Sequence, residues 1–586
     1  MDILFINTTE EKGIRNETNG TLLLATKLLQ AGFIVDILRF YQIESYLKDY
    51  NTFINDITDK IIALNPKSVS FYTSWPYYHF LLRIAKEIKI RNSKIIIIFG
   101  GPQSSATAYD TMKAMDYIDY ICTGEGESTV VDFFNTILRN NSVGIHNIPG
   151  LFYRKNNVIK FNHTDIPICD LNSLPHWDDN LYLSNYKELD SNITADNYFM
   201  PIDAGRGCPY SCTFCCTSYF WRRNYRLKSP ERIVDDIEYF NKKFGITSFW
   251  FSHDAFTSNK QLVSDVCDYL IEKKLKITWR CTARIDCISE ELILKMKQAG
   301  MTQIELGIES GSKRMQKMIN KNLNLERARE MIEFLIKNNI YTNLFFMYGF
   351  PEETEEDLAE TLEMYFDVLD KGVNGTSMSF CRFTPMTDMT NKYINELVLN
   401  DNIRILYRGI YGYQEEYKMI KDNKKIFTFF YHLNTDLRNK YQYLFLFNTI
   451  YQKFPNSMKY LRALYKGDDL KFYRDFYNNN RGAFEQEMLH IGRFMRENAL
   501  QFFYNTIKDF DEPYIEKIKE ILRYDYNLQK ASLSREDIEI KDTYNFSYIE
   551  FSMKLPIEEY SNMKTEILLE KKNGKFNLKI LSINVN

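Results

Sequence analysis

The chain has 586 residues, of which 45% are hydrophobic and 26% are charged, and its formal net charge is -3. This composition is typical of soluble globular proteins, the length suggests roughly three or four domains, and the charge gives no reason to expect nucleic acid as a partner. No apolar run is long enough for a membrane span and the first residues do not resemble a signal peptide, so the sequence predicts a cytoplasmic protein whose ten cysteines are thiols or metal ligands.

Residues 1–140 alternate apolar runs with amphipathic segments, as repeated βα units do. The expected strands span residues 3–6, 33–38, 68–72, 94–99 and 117–122. They predict a doubly wound, flavodoxin-like parallel sheet, which would bind a ligand beyond the carboxyl ends of its strands. The small residues that follow the third, fourth and fifth strands are Thr73 and Ser74, Gly100 and Gly101, and Gly124 and Gly126. Such glycines let the backbone approach a flat ligand closely, although ordinary turn chemistry would also explain them.

Residues 141–196 read as a connector between two larger domains. The run that begins at Pro149 and Gly150 predicts a small β-hairpin around Asn156 and Asn157. A proline-containing acidic segment follows, and its weak helical periodicity is typical of a domain boundary.

Residues 197–400 contain a second series of βα units. The expected strands span residues 198–204, 248–251, 277–281, 303–308, 342–348 and 376–380. Six parallel strands predict a partial (β/α)6 barrel, whose active site would lie at the carboxyl ends of the strands. The first helix after the cysteine loop is well marked, because Ser229 and Pro230 are typical of a helix start and Gly245 of a helix end.

A cysteine loop lies between the first strand of this core and that helix. Cys208, Cys212 and Cys215 stand at a C-x3-C-x2-C spacing, and Phe214 precedes the last of them. Three thiolates could bind three irons of a four-iron cluster and leave the fourth iron open to a ligand. A zinc site normally needs a fourth ligand, and no second cysteine pair follows at zinc-finger distance. A disulfide framework would require a secreted chain. The pattern therefore favours an iron–sulfur cluster, with Cys216 as a bystander thiol.

Polar residues follow the other strands of the core. His253 and Asp254 come after the second strand, and His253 could relay a proton or simply be hydrogen-bonded at the strand end. Arg284 follows the third strand, where it could bind a ligand carboxylate or form a salt bridge within the core.

Residues 401–586 carry the least functional information. Aromatic residues at helical spacing predict a helical region built around a core. A strand at 546–554 and a hairpin around Asn573 and Gly574 predict a small antiparallel sheet at the end.

The cysteine spacing, with an aromatic residue before the third cysteine, resembles the hallmark of the radical S-adenosylmethionine (SAM) superfamily. The resemblance implies a [4Fe–4S] cluster on Cys208, Cys212 and Cys215, with the amino and carboxylate groups of SAM on the fourth iron. The segment GIESGS looks like the one that holds the ribose and amino group of SAM, and GFPEET looks like the turn under its adenine. By this resemblance Glu309 and Ser310 contact SAM, Arg284 is a plausible partner for its carboxylate, and Gly349 belongs to the turn under its adenine. Phe214 would form an apolar surface beside the open iron.

The order of the domains is similar to that of the cobalamin-binding branch of this superfamily. The similarity rests on the Gly-Gly-Pro turn, the Gly-Glu-Gly-Glu loop and the connector hairpin. They imply cobalamin bound at Thr73, Ser74, Gly100, Gly101, Gly124 and Gly126. No histidine precedes His79, so the resemblance suggests cobalamin bound without a histidine on cobalt.

The function expected from the resemblance is radical chemistry started by reductive cleavage of SAM. Methylation of an unactivated carbon in a natural-product or peptide substrate is the leading reaction, and cyclisation or rearrangement is the alternative. A flavodoxin- or ferredoxin-type electron donor would be the protein partner. A non-catalytic iron–sulfur or zinc sensor is a hypothesis of a different class, and ligand loops at both sets of strand ends argue against it.

Overall fold

A computed structural model of the chain shows an α/β protein that ends in a helical region and a small antiparallel sheet. The structure describes residues 1–9, 19–41, 49–139, 144–163, 170–181, 199–399, 414–486, 491–510, 515–533, 538–544, 563–572 and 575–585. Within these ranges no helix is both long enough and apolar enough to cross a bilayer.

The N-terminal sheet contains seven strands in the order β2-β1-β3-β4-β5-β6-β7. The strands are β1 Ile3–Thr9, β2 Val35–Tyr41, β3 Ser68–Tyr72, β4 Ile96–Gly100, β5 Tyr120–Cys122, β6 Leu151–Lys155 and β7 Val158–Phe161. The helices of this region are α1 Asn19–Gln30, α2 Tyr50–Ala63, α3 Tyr78–Arg91, α4 Pro102–Ala114 and α5 Val130–Arg139. The first five strands are parallel, and the predicted flavodoxin-like sheet is confirmed.

The connector hairpin lies in this same sheet. Strand β6 pairs antiparallel with β5, and β7 pairs antiparallel with β6. The hairpin is present as predicted. Its place in the N-terminal sheet could not be predicted, because pairing with β5 depends on contacts between distant segments.

The second sheet has six strands in the order β15-β14-β13-β12-β11-β8. These strands are β8 Met200–Asp203, β11 Ser248–Ser252, β12 Thr278–Ala283, β13 Met301–Glu309, β14 Tyr341–Tyr348 and β15 Gly375–Phe380. The associated helices are α6 Thr217–Phe220, α7 Pro230–Phe244, α8 Lys260–Glu272, α9 Glu290–Gln298, α10 Lys313–Met318, α11 Leu325–Lys337, α12 Glu355–Asp370 and α13 Asp388–Tyr393. The strand order follows the chain, as the prediction of a partial βα barrel requires.

Helix α7 begins and ends where the sequence indicates. The Ser229 hydroxyl accepts a hydrogen bond from the Arg232 N–H at 3.3 Å, and Gly245 ends the helix with a φ of 70°. The buried face carries Ile233, Ile237 and Phe240. The capping residues and the apolar face therefore both indicate a helix from Pro230 to Phe244.

A short ladder separates the cysteine loop from the rest of the core. Strands β9 Gly205–Arg206 and β10 Arg226–Leu227 pair antiparallel, so the residues between them form a loop that is closed at its base. At Gly207, φ is 84° and a Cβ would lie only 2.1 Å from the Asn224 carbonyl oxygen, so only glycine fits there.

The described C-terminal part is helical and then antiparallel. Its helices are α14 Gln414–Asp422, α15 Asp436–Tyr441, α16 Leu444–Lys453, α17 Pro455–Leu464, α18 Asp469–Gln486, α19 Ile491–Ile507 and α20 Ile515–Leu533. Two short strands on either side of α14 in the chain, β16 Val398–Leu399 and β17 Tyr431–His432, pair antiparallel. Strands β18 Ile538–Tyr544, β19 Met563–Lys572 and β20 Lys575–Val585 form the final sheet. The predicted strand at 546–554 and the turn at Asn573 and Gly574 lie outside the described residues.

The chain forms two compact units. One contains Met1–Ile308, Gln316–Leu344 and Cys381–Asn434, and the other contains Glu309–Met315, Phe345–Phe380 and Thr435–Asn586. The cysteine loop and the glycine loops of the N-terminal sheet belong to the first unit. The GIESGS and GFPEET turns belong to the second, apart from the start of GIESGS.

Candidate functional site

The cysteine loop is fixed to the core through its backbone. The Thr213 N–H donates to the Ile319 carbonyl at 3.0 Å, and the Thr213 carbonyl accepts from the Met389 N–H at 3.1 Å. The Asn320 side-chain amide donates to the Ser211 carbonyl at 3.0 Å. These bonds hold the loop from two neighbouring segments, so the positions of its cysteines do not depend on the thiols bonding to one another.

The three cysteine side chains lie near one another and are largely enclosed. Cys208 interacts electrostatically with both Cys212 and Cys215. Burial raises the pKa of Cys208 to about 11 even though its sulfur accepts a hydrogen bond from the Tyr210 N–H, and the neighbouring thiols raise it further. Burial also raises the pKa of Cys215, whose sulfur accepts hydrogen bonds from the backbone N–H and the hydroxyl of Thr217.

This donor set fits an iron–sulfur cluster. The nine cysteines in the described ranges are free thiols, and none of them forms a disulfide. Three enclosed thiols beside one another favour the neutral form, and a cationic iron cluster is the kind of partner that stabilises them as thiolates. In the same ranges no three Cys, His, Asp or Glu side chains are placed to share a single metal ion, whereas a cluster binds each cysteine through a different iron.

Arg284 lies against this loop. Its guanidinium forms two hydrogen bonds with Asp286, at 3.0 and 2.8 Å, and a further nitrogen is 3.6 Å from the Cys212 sulfur. The salt bridge that the sequence offered as one of two readings is therefore present. Phe214, which stands between Cys212 and Cys215 in the sequence, is half-buried. Its role beside the cluster stays a prediction.

A cavity of about 570 Å³ lies in the same unit. On one side it is lined by residues that follow the N-terminal strands, and on the other by residues at the ends of β8, β11 and β12. Of the predicted cobalamin contacts, those that line the cavity are Gly100, Gly101, Gly124 and Gly126. The carboxyl ends of two parallel sheets thus face one space, which is where ligands bind in both kinds of fold.

The glycine turns leave backbone rather than side chain at the cavity wall. Gly101 has a φ of 99°, and a Cβ there would lie 2.8 Å from the Thr73 carbonyl oxygen. A Cβ at Gly126 would meet Leu24 at 3.3 Å. A flat, wide ligand such as a corrin fits a wall of this kind, because it can approach the backbone directly.

Thr73 and Ser74 do not line this cavity. The Thr73 hydroxyl is fully buried, donates to the Gly100 carbonyl at 2.8 Å and lies 2.9 Å from the Ser104 hydroxyl. Thr73 therefore shapes the glycine turn, and a direct contact with a cofactor stays a prediction. The sequence did not single out Tyr72, Cys122, Trp221 and Pro149 as cavity residues.

Asp254 and His253 line the cavity from the end of β11. The Asp254 side chain is exposed only toward the cavity that it lines. The protein around it removes much of the bulk water, and this desolvation raises the pKa of Asp254 to about 6. It also interacts electrostatically with Cys208 and Cys215. Burial lowers the pKa of His253 to about 4, so its imidazole is neutral, and its Nδ1 accepts a hydrogen bond from the Ala255 N–H at 2.9 Å. Asp254 is thus placed between the cysteine loop and the cavity.

A buried ion-pair cluster connects the two walls of the cavity. Arg206, the residue two positions before Cys208, donates to Glu125 at 2.8 Å and to Glu127 at 2.6 Å. Arg226 on the neighbouring strand also pairs with Glu125. The Gly-Glu-Gly-Glu loop of the N-terminal sheet is therefore bonded directly to the strand that leads into the cysteine loop.

The GIESGS turn of the second unit is held by helix α12. The Ser310 hydroxyl is fully buried and lies 2.9 Å from the Thr361 hydroxyl, and the Ser312 hydroxyl donates to Asp357 at 2.6 Å. Glu309 ends β13 with a φ of 68°, a left-handed conformation that is uncommon for glutamate. The fold fixes this turn tightly, and the roles of Glu309 and Ser310 toward SAM stay predictions.

The GFPEET turn is organised around Glu353. One carboxylate oxygen accepts hydrogen bonds from the backbone N–H groups of Gly349 and Phe350. Burial raises the pKa of Glu353 to about 8, although these two bonds oppose the shift. Gly349, the predicted SAM contact in this turn, adopts a φ of 76° that glycine tolerates without strain.

The Glu353→Gln variant is expected to gain stability relative to the wild type as the pH rises from about 5 to 8. Because the folded-state pKa lies above the ordinary value of 4.5, the wild type binds this proton more tightly when folded and loses stability across that range. Glutamine keeps an oxygen for the two N–H groups and has no proton to lose. The measurement is the urea unfolding midpoint of both proteins at several pH values, and a constant difference between them would contradict the assignment.

Two family models match the chain. The model of the B12 binding domain matches residues 15–134, and that of the radical SAM superfamily matches residues 202–365. The first covers most of the N-terminal sheet, and the second begins at β8 and contains all three cysteines.

The individual proteins that the chain resembles share only about a quarter of its residues or fewer over the matched region. An uncharacterised methyltransferase of Pyrococcus horikoshii is 25% identical over 358 residues, which are 60% of this chain and 73% of that protein. An anaerobic magnesium-protoporphyrin IX monomethyl ester cyclase of Rubrivivax gelatinosus is 26% identical over 352 residues, which are 58% of this chain and 60% of that protein. Among solved structures, the cobalamin-dependent SAM radical enzyme OxsB with aqua-cobalamin bound matches with a TM-score of 0.56 and 18% identity, covering 90% of this chain and 80% of that one. At 18% identity, the similarity to OxsB shows a shared fold and nothing more.

Proposed function

We propose that this chain, a member of the radical SAM superfamily that also carries a B12 binding domain, methylates an unactivated carbon of a natural-product or peptide substrate. The cofactors of a chain with these two domains are a [4Fe–4S] cluster, SAM and cobalamin. When bound, the cluster and SAM supply a radical that removes hydrogen from carbon, and cobalamin supplies a methyl group.

One observation carries the proposal: loops of both domains meet at one cavity. The glycine turns of the N-terminal sheet form one wall, and the ends of β8, β11 and β12 form the other. A carbon centre made reactive near the cysteine loop must meet the methyl donor before it meets solvent or oxygen. A shared, protein-lined space satisfies this requirement.

The residues of the chain divide the task between them. Cys208, Cys212 and Cys215 would hold the cluster and leave one iron open. Gly100, Gly101, Gly124 and Gly126 would support the corrin. Substrate would then lie on the side of the cavity formed by the core.

Asp254 is the side chain best placed to face the substrate. It lines the cavity, interacts electrostatically with two of the cluster cysteines and has no hydrogen-bond or ion-pair partner in the described part of the chain. A carboxylate so placed favours a substrate that offers a hydrogen-bond donor or a positive charge, and disfavours one with an acidic group beside the reacting carbon.

Cyclisation without methyl transfer is the second candidate, because a cyclase is among the relatives of similar identity. The two reactions differ in what they leave of SAM. Methyl transfer converts one SAM to S-adenosylhomocysteine and cleaves a second to 5′-deoxyadenosine and methionine, whereas cyclisation requires only the cleavage.

The first experiment is anaerobic reconstitution with iron, sulfide and hydroxocobalamin, followed by desalting, metal analysis and an absorption spectrum. Iron with retained corrin absorption is expected, and iron without corrin would remove the methyl-transfer proposal while keeping the radical enzyme. The reconstituted protein is then incubated with SAM and a chemical or flavodoxin reductant. Formation of both S-adenosylhomocysteine and 5′-deoxyadenosine supports methylation, and 5′-deoxyadenosine alone supports cyclisation.

A further inference from the structure

Arg284 is a buried cation whose hydrogen-bonding groups are almost all in use. Two of its nitrogens bond both oxygens of Asp286, and one of these also donates to the Lys321 carbonyl at 2.8 Å. The residue is only 8% exposed. A guanidinium has five N–H groups, and these three bonds fix the orientation of its plane.

The remaining edge of the guanidinium faces the cysteine loop. Its Nη1 lies 3.6 Å from the sulfur of Cys212, within reach of an N–H···S hydrogen bond. Its central carbon also lies 3.8 Å from the centre of the Tyr210 ring, which belongs to the same loop. Arg284 therefore contacts the loop at the thiol itself and at an aromatic ring between two cysteines.

Tyr210 is held in turn from its far side. Its hydroxyl lies 2.8 Å from the sulfur of Cys287, three residues after Arg284. The segment from Arg284 to Cys287 thus makes three contacts with the loop, two from the Arg284 guanidinium and one from the Cys287 sulfur. The guanidinium cannot move away without breaking its contacts with Asp286, Lys321 and Tyr210.

A permanent positive charge at this distance acts on the electrons of a bound cluster. A hydrogen bond from a cation stabilises the sulfur more as its negative charge grows, and a cluster carries one more negative charge after reduction. Hydrogen bonds to cluster sulfurs and local charge are among the factors that set cluster potentials. The donors to Cys208 and Cys215 named above are neutral, whereas the donor to Cys212 is charged.

We propose that Arg284 is a positioning residue that raises the reduction potential of the cluster by donating a charged hydrogen bond to Cys212, and that it does not bind the SAM carboxylate. The proposal rests on the cluster assignment in the proposed function. Four of the five N–H groups of Arg284 are already in use, which leaves too few for the two-point contact that arginine makes with a free carboxylate.

The test is the midpoint potential of the reconstituted cluster, measured by anaerobic redox titration with the electron paramagnetic resonance signal of the reduced form as readout. SAM and cobalamin are left out, so the result depends on the cluster alone. Arg284→Met is expected to shift the potential to more negative values, so that the ratio of reduced to oxidised cluster at a fixed potential falls about tenfold, or about 59 mV for one electron. Arg284→Lys, which keeps the charge but loses the fork, is expected to lie between Arg284→Met and the wild type.

The matched control is Arg280→Met. Arg280 lies on β12, immediately before this segment, and pairs with Glu305 at 3.2 Å instead of with a cysteine. Losing it removes the same charge four residues before Arg284 and is expected to leave the potential within the error of the titration. An equal shift in both variants would mean that overall charge, and not the bond to Cys212, sets the potential, and would overturn the proposal.

A second measurement separates the two roles of Arg284. The Kd for SAM of the cluster-loaded protein is expected to change less than threefold in Arg284→Lys and Arg284→Met. An unchanged potential with a tenfold or greater loss of SAM affinity would overturn the proposal in favour of carboxylate binding.

If Arg284→Met assembles no cluster, Asp286→Asn provides the same test, because it loosens the guanidinium without removing it. If the wild type itself binds no iron, the cluster assignment has failed, and that result is distinct from an unmoved potential.

Discussion

Replacing Cys208, Cys212 or Cys215 with alanine, one at a time, is expected to abolish cluster assembly and all cleavage of SAM. Each cysteine would bind a separate iron, so the loss of one leaves a second open metal position next to the one that SAM needs. The measurements are iron and sulfide content after reconstitution, and 5′-deoxyadenosine formed on reduction. Any one of the three variants that retains both would disprove the site.

Cys216 offers a matched control for this series, because it is the next residue in the chain. Burial raises the pKa of its thiol to about 12, and the nearby Cys215 thiol raises it further. Cys216 immediately precedes helix α6. Cys216→Ala is therefore expected to keep full iron content and SAM cleavage. Loss of iron in this variant would mean that the fourth thiol also serves the cluster.

Arg206→Met is expected to destabilise the protein by about 3–5 kcal/mol, the cost of removing one partner from a buried ion pair. Arg206 is 8% exposed and bonds Glu125 and Glu127, of which Glu127 is 5% exposed. Without the guanidinium, Glu127 stays enclosed beside the cavity without its cation, and the glycine loop remains attached through Glu125 and Arg226 but no longer through Arg206. The measurements are the midpoint of the first urea unfolding transition and the cobalamin retained after desalting, and both are expected to fall.

Two further variants make the Arg206 experiment specific. Arg327 forms an exposed pair with Glu330 at 2.8 Å, so Arg327→Met removes the same side chain and is expected to cost at most about 1 kcal/mol. Combining Arg206→Met with Glu127→Gln removes the uncompensated charge, while Glu125 keeps its pair with Arg226, and is expected to restore part of the lost stability. If the single Arg206 variant behaves like Arg327→Met, the ion-pair cluster does not hold the two walls together.

Features that repeat along the chain, or that lie within a few residues, could be predicted from the sequence. The alternation of strands and helices gave both parallel sheets, and the cap at Ser229 with Gly245 gave the bounds of helix α7. The cysteine loop could be recognised because its three cysteines stand within eight residues. Local patterns of this kind reflect backbone geometry, which acts over short distances along the chain.

Features that depend on distant pairs could not be predicted. Arg206 and Glu125 are separated by 81 positions, and Arg284 and Cys212 by 72, and neither pair leaves a periodic signal in the sequence. Thr73 was a plausible ligand contact as a polar residue at a strand end, yet its hydroxyl bonds the Gly100 carbonyl. A polar residue at such a position can face the ligand or support the turn, and only the packed structure distinguishes the two.

The hairpin of β6 and β7 has a consequence for studying the N-terminal region by itself. Strand β5 has three residues, and it pairs with β4 along one edge and with β6 along the other. A fragment cut at residue 140 would leave the N–H and C=O groups along that side without partners and open to pairing with another copy, which is a common route to aggregation. A fragment that continues to residue 163 would keep the edge covered, and is the better choice for expressing and crystallising this region separately.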